Sequence, residues 1–339
     1  MYNLRKMFVM LSLGFGSGLP YILLISTTSA WLRDVGVELS LIGFFAWITF
    51  AYTIKFIWAP LVDRFSVPYF ARYGHRKSWI ALMQIIIISA LLLLSNIDPI
   101  QSFLFFCIVA GLIAFAGSFQ DIAIDAFRIE YAHISDQGNL AAAYQLGYRL
   151  AIIAATSLAL IFADSNGWSM TYKFLAALMS FGFLGIIFSS ENRNPELGKL
   201  NFSNSIYEPL KDFFARFKFF MASILLLIVA TYRLTDIVMG PMATPFYIDM
   251  GFTLTEIGAV VKVVALIASI IGIFVGGLLI KRIKIFRSLL IGAFLVMITN
   301  ILFAYVAITE KNIISLASIV AMDSLAAGIV GTVNIAFLT

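Results

Sequence analysis

Long apolar stretches separated by short polar segments make up most of the chain. Ten such stretches can be marked, at about residues 7–30, 39–60, 79–96, 101–126, 141–163, 169–189, 219–241, 255–280, 286–306 and 312–337. An α-helix needs about 20 mainly apolar residues to cross the hydrocarbon core of a bilayer. Several stretches contain Gly or Pro, which membrane helices tolerate because neighbouring helices satisfy the freed backbone groups. The pattern predicts an all-α polytopic membrane protein, whose membrane spans we number 1 to 10.

Composition supports this prediction and excludes several classes of function. Of the 339 residues, 61% are hydrophobic and only 12% are charged, whereas about a quarter of the residues of a soluble domain are charged. The single cysteine, Cys107, lies in span 4, and the two histidines, His75 and His133, lie in connecting segments. This composition leaves no disulfide framework and no multi-histidine metal site. We expect no metal, no cofactor and no catalytic residue.

The distribution of Lys and Arg predicts how the spans are oriented. With the N-terminus inside, sixteen of the 23 basic residues fall in cytoplasmic segments, three fall in outer segments and four lie within spans. Cytoplasmic loops of membrane proteins carry such an excess of positive charge. We therefore expect both termini in the cytoplasm and the protein in a bacterial inner membrane. The same asymmetry explains the sequence pI of about 9.2 without any binding of nucleic acid.

One long polar connection, residues 191–218, divides the chain after span 6. Its second half interleaves apolar side chains such as Leu210 and Phe214 with charged ones such as Lys211. That pattern is typical of an amphipathic helix lying on a membrane surface. We predict an N-terminal half of six helices over 1–190, a cytoplasmic linker over 191–218 and an incomplete C-terminal half of four helices over 219–339.

A ten-residue stretch is repeated on the two sides of that linker. Residues 34–43 and 249–258 agree, at a constant offset of 215, in an Asp, two Gly, a Leu, an Ile and one hydroxyl residue. Both copies fall between the first and second spans of their half. Such internal repeats are a feature of secondary transporters, whose substrate site lies between the repeats. We expect a fold of twelve helices, of which about ten are present, and poor transport by the ten-helix chain alone.

Several ordered motifs resemble those of one transporter family. They are Gly14-Phe15-Gly16-Ser17-Gly18-Leu19-Pro20, Lys55-Phe56-Ile57-Trp58-Ala59-Pro60-Leu61-Val62-Asp63-Arg64, Gln120-Asp121-Ile122-Ala123-Ile124-Asp125-Ala126, Gly147-Tyr148-Arg149, and Tyr232-Arg233-Leu234 with Asp236. Together they resemble the AmpG muropeptide permeases, a branch of the major facilitator superfamily. The resemblance implies the major facilitator fold and proton symport of anhydromuropeptides, the glycopeptide fragments of cell-wall recycling. Acetyl-coenzyme A transporters are similar around the Gln-Asp motif, so another small molecule is an alternative substrate.

Charged residues inside spans are the candidate transport residues, because each costs roughly 2.5–3.5 kcal/mol on insertion scales. Asp121 and Asp125 lie one turn apart on one face of span 4, with Arg128 three residues further on. Asp121 and Arg149 each lie about nine residues from the cytoplasmic end of their spans. We predict that these two pair across spans 4 and 5, either as a proton site or cytoplasmic gate, or as a structural ion pair.

A second group of charges is predicted in the outer half of the membrane. Span 7 carries Arg233 and, one turn further, Asp236, and the sequence places Lys262 of span 8 at a depth comparable to that of Asp236. The two groups of charges would be an inner and an outer gate of an alternating-access transporter, or static pairs. Lys55, near the end of span 2, either contacts the substrate or extends its ammonium group to the membrane surface.

Small residues and one loop complete the candidate site. We expect the substrate path to be lined by Gly14, Gly18, Pro20, Gln120 and Tyr148. The spacing of Gly14 and Gly18, repeated at Gly272 and Gly276, favours close packing of helices, and Pro20 permits a bend in span 1. The loop between spans 2 and 3 is the candidate for conformational change, through Asp63, Arg64, Arg76 and Lys77.

Two other classes of protein are alternatives. A membrane-embedded aspartyl hydrolase needs two carboxyl groups that converge on one substrate, and Asp121 and Asp125, on a single helix, are poorly placed for it. A remnant that does not transport is the other alternative. The sequence contains no Gly-x-x-x-x-Gly-Lys-[Ser/Thr] or His-Glu-x-x-His motif that would indicate an ATPase or a zinc protease. The expected partners are membrane lipid, a small glycopeptide substrate and protons.

Overall fold

The computed structural model describes residues 4–65, 67, 74–131, 137–189, 211, 214, 220, 221, 223, 224, 227, 234–283 and 285–338, without the side chains of residues 64, 137–139, 234–238 and 335–338. Every regular element in these ranges is a helix. Eight of the helical stretches are long and apolar enough to cross a membrane. One of them, Leu140–Phe188, has 49 residues and is divided by Gly167, whose φ of 76° and ψ of 166° interrupt the helix. The predicted all-α polytopic membrane protein is confirmed.

The helices follow the predicted spans, except that α7 continues to Asp249, eight residues beyond the predicted end of span 7. We number them in the same way. They are α1 Leu4–Asp34, α2 Leu39–Ile57 with its extension Ala59–Arg64, α3 His75–Leu94, α4 Phe103–Tyr131, α5 137–166, α6 168–188, α7 Leu234–Asp249, α8 Leu254–Ile283, α9 Ile285–Ala307 and α10 Ile313–Leu338. Only isolated residues are described between 211 and 227. The predicted linker and its amphipathic helix therefore stay predictions.

Apolar side chains cover the outer surface of the bundle as well as its core. Phe274, Phe286 and Leu290 have 71%, 73% and 72% of their surface exposed. An apolar surface of this extent suits a bilayer, in which the surrounding lipid tails are themselves apolar. By contrast α1 is almost enclosed, with Leu13 and Leu19 buried among its neighbours. The first helix is therefore the centre of packing for α1–α6.

Glycines allow α1 to approach α5 at backbone distance. A Cβ atom at Gly14 would overlap the backbone of Tyr144, and one at Gly147 would overlap the carbonyl group of Leu11. In the same way a Cβ atom at Gly272 of α8 would overlap the carbonyl group of Leu325 of α10. The close packing predicted from the four-residue spacing of glycines is confirmed in both places.

The repeated stretch adopts the same backbone conformation in both copies. The amide of Val37 donates to the Leu32 carbonyl at 2.9 Å, and 215 residues later the amide of Phe252 donates to the Tyr247 carbonyl at 3.1 Å. Gly36 and Gly251 occupy the left-handed region, with φ of 92° and 82°, a conformation that glycine adopts without strain. The internal repeat is thus present in the structure as well as in the sequence.

Helices α1–α6 meet α7–α10 near the end of the bundle that carries these two loops, which we call the repeat end. The Arg33 Nε atom lies 2.5 Å from an Asp249 carboxylate oxygen, and the Thr255 hydroxyl donates to Asp164 at 2.5 Å. Gly258 of α8 packs against Ser157 of α5. Within the described ranges no comparable packing joins residues 137–153 to α8, α9 or α10. Among the described residues, the packing between the two groups of helices is therefore concentrated at the repeat end.

Candidate functional site

Pro20 frees a backbone carbonyl group of α1, which accepts a hydrogen bond from a side chain of α4. Because proline has no N–H, the carbonyl group of Gly16, four residues earlier, has no intrahelical donor. The Nε2 atom of Gln120 donates to this carbonyl oxygen at 2.7 Å. A π-helical turn over Leu23–Thr27 follows. The predicted bend in span 1 is therefore a change of helix type just beyond the proline, and Gln120 is held against α1.

Pro60 interrupts α2 and places Lys55. Helix α2 gives way to a 3₁₀ turn at Lys55–Ile57, and a new helical segment begins at Ala59 with proline at its second position, where no N–H is needed. The indole Nε1 of Trp58 donates to Ser118 of α4 at 3.2 Å, and the ring stacks on Phe119 with centroids 5.7 Å apart. This anchoring turns the end of α2 towards α4.

Four charged side chains meet where α2 reaches α4. The Nζ atom of Lys55 lies 2.9 Å from Asp121 and 3.7 Å from Asp125, and the guanidinium group of Arg128 lies 3.6 Å from Asp125. The three α4 residues share a face because their spacing of four and three residues matches the helical turn. Two positive and two negative charges make the cluster neutral when all four groups are ionised. We call these four residues the charge cluster.

Hydroxyl groups of α1 and α5 extend the charge cluster. The Ser17 hydroxyl donates to the other carboxylate oxygen of Asp121 and lies 2.8 Å from the hydroxyl oxygen of Tyr144. The Arg128 guanidinium group lies over the Tyr144 ring, 5.2 Å from its centre, at a distance that permits a cation–π interaction. Through these contacts Asp121 is linked to α1, α2 and α5 at once.

A cavity of about 240 Å³ opens beside the cluster. It is lined by Ser17, Tyr21, Tyr52, Thr53, Lys55, Asp121 and Tyr148. The rings of Tyr21 and Tyr52 meet edge to face, with centroids 4.9 Å apart. The Tyr52 hydroxyl is buried against Gly117 and has no hydrogen-bond partner in the described part of the chain. Aromatic rings, hydroxyls and an ion pair around one cavity suit a polar ligand that carries both hydroxyl and charged groups.

The predicted pairing of Asp121 with Arg149 is wrong for this conformation. Asp121 is occupied by Lys55 and Ser17, and among the described residues it makes no ion pair with Arg149. Tyr144 and Tyr148, one turn apart on α5, face the cluster and the cavity. Arg149 is one residue further along, about 100° around the helix. Matching depth alone does not decide which side of a helix a residue occupies.

The second predicted group of charges is only partly described. Arg233 and the side chain of Asp236 lie outside the described residues. Lys262 donates to the hydroxyls of Ser26 on α1, at 3.0 Å, and Thr244 on α7, at 2.9 Å. Thr244 is eight residues beyond Asp236, which is about 12 Å along the helix axis. Lys262 is therefore level with Thr244 rather than with Asp236.

The loop motif after α2 forms a separate ion network. Arg76 contacts Asp63 at 2.6 Å and Glu130 at 3.1 Å, so it joins the ends of α2, α3 and α4. Lys77 donates to the Ser189 carbonyl, after the end of α6, at 2.9 Å. The side chain of Arg64 lies outside the described part. The loop residues that are described tie α2, α3, α4 and α6 together at the end opposite the repeat end.

The sequence predictions did not include Ser17 and Tyr144 beside the charge cluster, the cavity residues Tyr21, Tyr52 and Thr53, or Asp323 outside the site. Ser17 lies inside the glycine-rich motif, and Tyr144 precedes Tyr148 by one helical turn, so both were open to a helical-face argument. Asp323 of α10, which accepts a hydrogen bond from Thr299 at 2.9 Å, is an intramembrane carboxylate that the charge count passed over. It lines a separate, mainly apolar cavity of about 700 Å³ between α2, α7, α9 and α10.

Comparisons with known sequences place the chain among transporters. Residues 4–339 match the Major Facilitator Superfamily. The chain is 30% identical over 344 residues to the putative transporter AmpG 4 of Rickettsia conorii, an alignment that covers 99% of this chain and 82% of that protein. It is 33% identical over 332 residues to the anhydromuropeptide permease of Escherichia coli K12, with 97% of this chain covered. The chain spans 66% of the length of that permease.

Solved structures show the same fold at low sequence identity. A bacterial homologue of the human lysosomal transporter Spinster, in an inward-facing and unoccupied conformation, has a TM-score of 0.71 and 14% identity and matches 98% of this chain and 75% of its own. The nucleoside transporter NupG has a TM-score of 0.75 and 13% identity, over 99% of this chain and 82% of its own. The resemblance to the AmpG permeases is confirmed by sequence and the predicted fold by structure. The chain belongs to the Major Facilitator Superfamily.

Proposed function

We propose that this protein is a secondary active transporter that imports anhydromuropeptides across the bacterial inner membrane together with protons. The named relatives support the substrate, since an anhydromuropeptide permease is 33% identical to this chain. The observation that carries the proposal is the charge cluster, in which the ammonium group of Lys55 contacts both Asp121 and Asp125 beside a polar cavity. Ionisable residues inside a membrane domain mark ion and substrate pathways.

Proton coupling follows from the charge balance of the cluster. A proton on Asp121 or Asp125 removes one of two negative charges and leaves the cluster with a net positive charge. Lys55, which lines the cavity, is then held by one carboxylate and is available to an anionic group of the substrate. Deprotonation restores the Lys55 contacts and favours release. Asp121 and Asp125 are the proton carriers in this scheme, and Lys55 is the group that senses their charge.

Alternating access follows from the distribution of contacts. Helices α1–α6 and α7–α10 touch at the repeat end through pairs such as Arg33 with Asp249. With the N-terminus in the cytoplasm, the repeat end faces outwards, and in this scheme the opposite end gives access to the cytoplasm. In this scheme the two groups are the two halves of the transporter, joined by residues 191–218. Transport requires that the contacts at the repeat end break while new ones form at the other end.

The orientation is tested by labelling single cysteines in a Cys107→Ser background. Cysteines at Ser40 and Asn312 should react with a membrane-impermeant maleimide added to intact cells, and cysteines at Ser66 and Asn204 should react only after the membrane is opened. The reverse pattern would place the N-terminus outside.

The function is tested by uptake of radiolabelled anhydromuropeptide into vesicles that contain the purified chain. We expect accumulation above that of vesicles without protein when the pH gradient is directed inwards, and its loss when an uncoupler is added. Vesicles without protein, and acetyl-coenzyme A as an alternative labelled substrate, are the controls. Uptake of acetyl-coenzyme A in place of muropeptide would contradict the proposed substrate. Uptake unaffected by the uncoupler would contradict the proposed proton coupling.

A further inference from the structure

Lys262 is an intramembrane cation with no acidic partner in the described part of the chain. Its Nζ atom donates to Ser26 at 3.0 Å and to Thr244 at 2.9 Å, and these two hydroxyls lie 3.3 Å from each other. An ammonium group has three N–H donors, and these two bonds use two of them. The third is left for another acceptor.

The contrast with Lys55 shows what is unusual about Lys262. Lys55 lies within 3.7 Å of two carboxylates, which offset its charge. Within the described ranges Lys262 contacts neutral hydroxyls and no carboxylate, although a charge inside a span costs roughly 2.5–3.5 kcal/mol on insertion scales. Neutral hydroxyls orient an ammonium group without cancelling its charge. The position is therefore suited to an anion that the described part of the chain does not supply.

Three π-helical turns lie around Lys262. Ser26 lies in the π-helical turn Leu23–Thr27 of α1, and Lys262 follows directly after the π-helical turn Ile257–Val261 of α8. A third such turn, Ala154–Leu158 of α5, lies between them, since Thr27 donates to the Ala155 carbonyl and Gly258 packs on Ser157. Single π-helical turns inside α-helices occur frequently at functional sites.

Lys262 also lies at the interface between the two groups of helices. The partners of Lys262 come from α1 and α7, the first helix of each group, so its ammonium group lies at their interface. Arg33, which closes the repeat end with Asp249, is seven residues beyond Ser26, or about 10 Å along α1. Lys262 therefore lies between the first helices of the two groups, on the side of the Arg33–Asp249 contact that faces away from the repeat end.

We propose that Lys262, oriented by Ser26 and Thr244, binds a carboxylate group of the transported substrate. The inference rests on the proposed function, because the peptide part of a muropeptide carries free carboxylates. One end of the substrate lies at the cavity beside Lys55, and the carboxylate reaches the closed end, where Lys262 binds it. Lys262 is then a residue that selects anionic substrates.

The test compares two labelled probes on the purified chain in lipid vesicles: an anhydromuropeptide with free peptide carboxylates, and the same compound with those carboxylates amidated. Lys262→Met keeps most of the length of the side chain and removes the charge, whereas Lys262→Arg keeps the charge. Lys281→Met makes the same substitution at an exposed position near the end of α8. Elution of each variant as a single species from size-exclusion chromatography establishes that it folds.

We expect Lys262→Met to raise KM for the free-carboxylate probe at least about tenfold, equivalent to about 1.4 kcal/mol, and to leave KM for the amide unchanged. Lys262→Arg should retain most of the preference, and Lys281→Met should behave as the parent chain. An equal loss for both probes, or a parent chain without preference for the carboxylate, would overturn the inference while leaving transport established. Failure of the parent chain to bind or take up either probe would instead overturn the proposed function and the inference with it.

Discussion

At the scale of single residues, the site depends on one carboxylate with several partners. Asp121 accepts from Lys55 of α2 and Ser17 of α1, and Ser17 in turn contacts Tyr144 of α5. Four helices therefore meet at one side chain. A proton on Asp121 alters all of these contacts together, which gives a single ionisation an effect on several helices.

Replacing Asp121 with Asn tests this dependence. Asn cannot change its charge, so we expect gradient-driven uptake to fall at least about tenfold, equivalent to about 1.4 kcal/mol, while exchange of labelled for unlabelled substrate without a gradient persists. Initial rates at a fixed pH gradient provide the measurement. Glu310→Gln, a change of the same kind at an exposed loop position, is the matched control. Undiminished proton-driven uptake by Asp121→Asn would show that Asp121 does not carry the proton.

Sequence reasoning identified the residues of the cluster but not all of their pairings. Charged residues inside a membrane are rare because they are costly there, so Asp121, Asp125 and Lys55 can be recognised in the sequence. Arg128 can be recognised by its helical spacing from Asp125. The partner of each charged residue depends on how its helix is rotated about its axis and on where the helix is interrupted. Lys55 reaches Asp121 because α2 is interrupted before Pro60, and an unbroken helix would have directed it elsewhere.

At the scale of helices, a side chain of one helix replaces the hydrogen bond that a proline removes from another. Pro20 leaves the Gly16 carbonyl without its intrahelical donor, and Gln120 supplies one from α4. The hydrogen bond missing within α1 is thereby replaced by one between α1 and α4. The Gln120 motif and the proline motif lie a hundred residues apart in the sequence, and nothing in either alone indicates the contact, because it depends on how α1 and α4 pack.

A double-mutant cycle measures this link. Gln120→Leu should lower stability by about 0.6 kcal/mol, the average for hydrogen bonds between membrane helices, and by no more than about 1.7 kcal/mol. In a Pro20→Ala background the same substitution should cost less, because an alanine restores the backbone N–H that the Gly16 carbonyl needs. Thermal stability in detergent, followed by size-exclusion chromatography, reports the difference. Equal losses in the two backgrounds would show that Gln120 does not compensate the proline.

Two glycines provide a matched test of helix packing. Gly147→Ala places a methyl group where the Leu11 carbonyl lies, so α1 and α5 must separate, whereas Gly111→Ala on α4 meets no atom within 4 Å. Overpacking of this kind typically costs about 1–3 kcal/mol. We expect Gly147→Ala to unfold at clearly lower temperature than the parent chain and Gly111→Ala to match it. Similar stability of the two variants would contradict the close approach of α1 and α5.

At the scale of the whole molecule, the fold was far more predictable than the relation between its parts. Span length, charge asymmetry and the repeat at Asp34 and Asp249 are properties of short segments, and each can be recognised without tertiary contacts. The contact between Arg33 and Asp249 joins residues 216 apart, and which end of the bundle is closed depends on the sum of many such contacts. A transporter has more than one arrangement of its halves, so its sequence specifies a set of conformations.

Closure of the repeat end can be tested by linking the two groups of helices at the Arg33–Asp249 contact. Arg33 and Asp249 belong to different groups of helices, so a covalent link between them should hold the repeat end shut. In a Cys107→Ser background, Arg33→Cys with Asp249→Cys joined by a short bifunctional thiol reagent should abolish uptake, and cleavage of a reducible linker should restore it. Binding of labelled anhydromuropeptide from the open end should survive, because that end stays accessible.

A second pair serves as the control for this experiment. Lys311 and Glu256 form an ion pair at 2.8 Å between α8 and the start of α10, so both belong to one group. Glu256→Cys with Lys311→Cys, linked by the same reagent, should leave uptake intact, because that group moves as a unit. Continued uptake after complete linkage of positions 33 and 249 would refute alternating access through the repeat end. Loss of uptake in both linked pairs would instead indicate that α8 and α10 must also move relative to each other during transport.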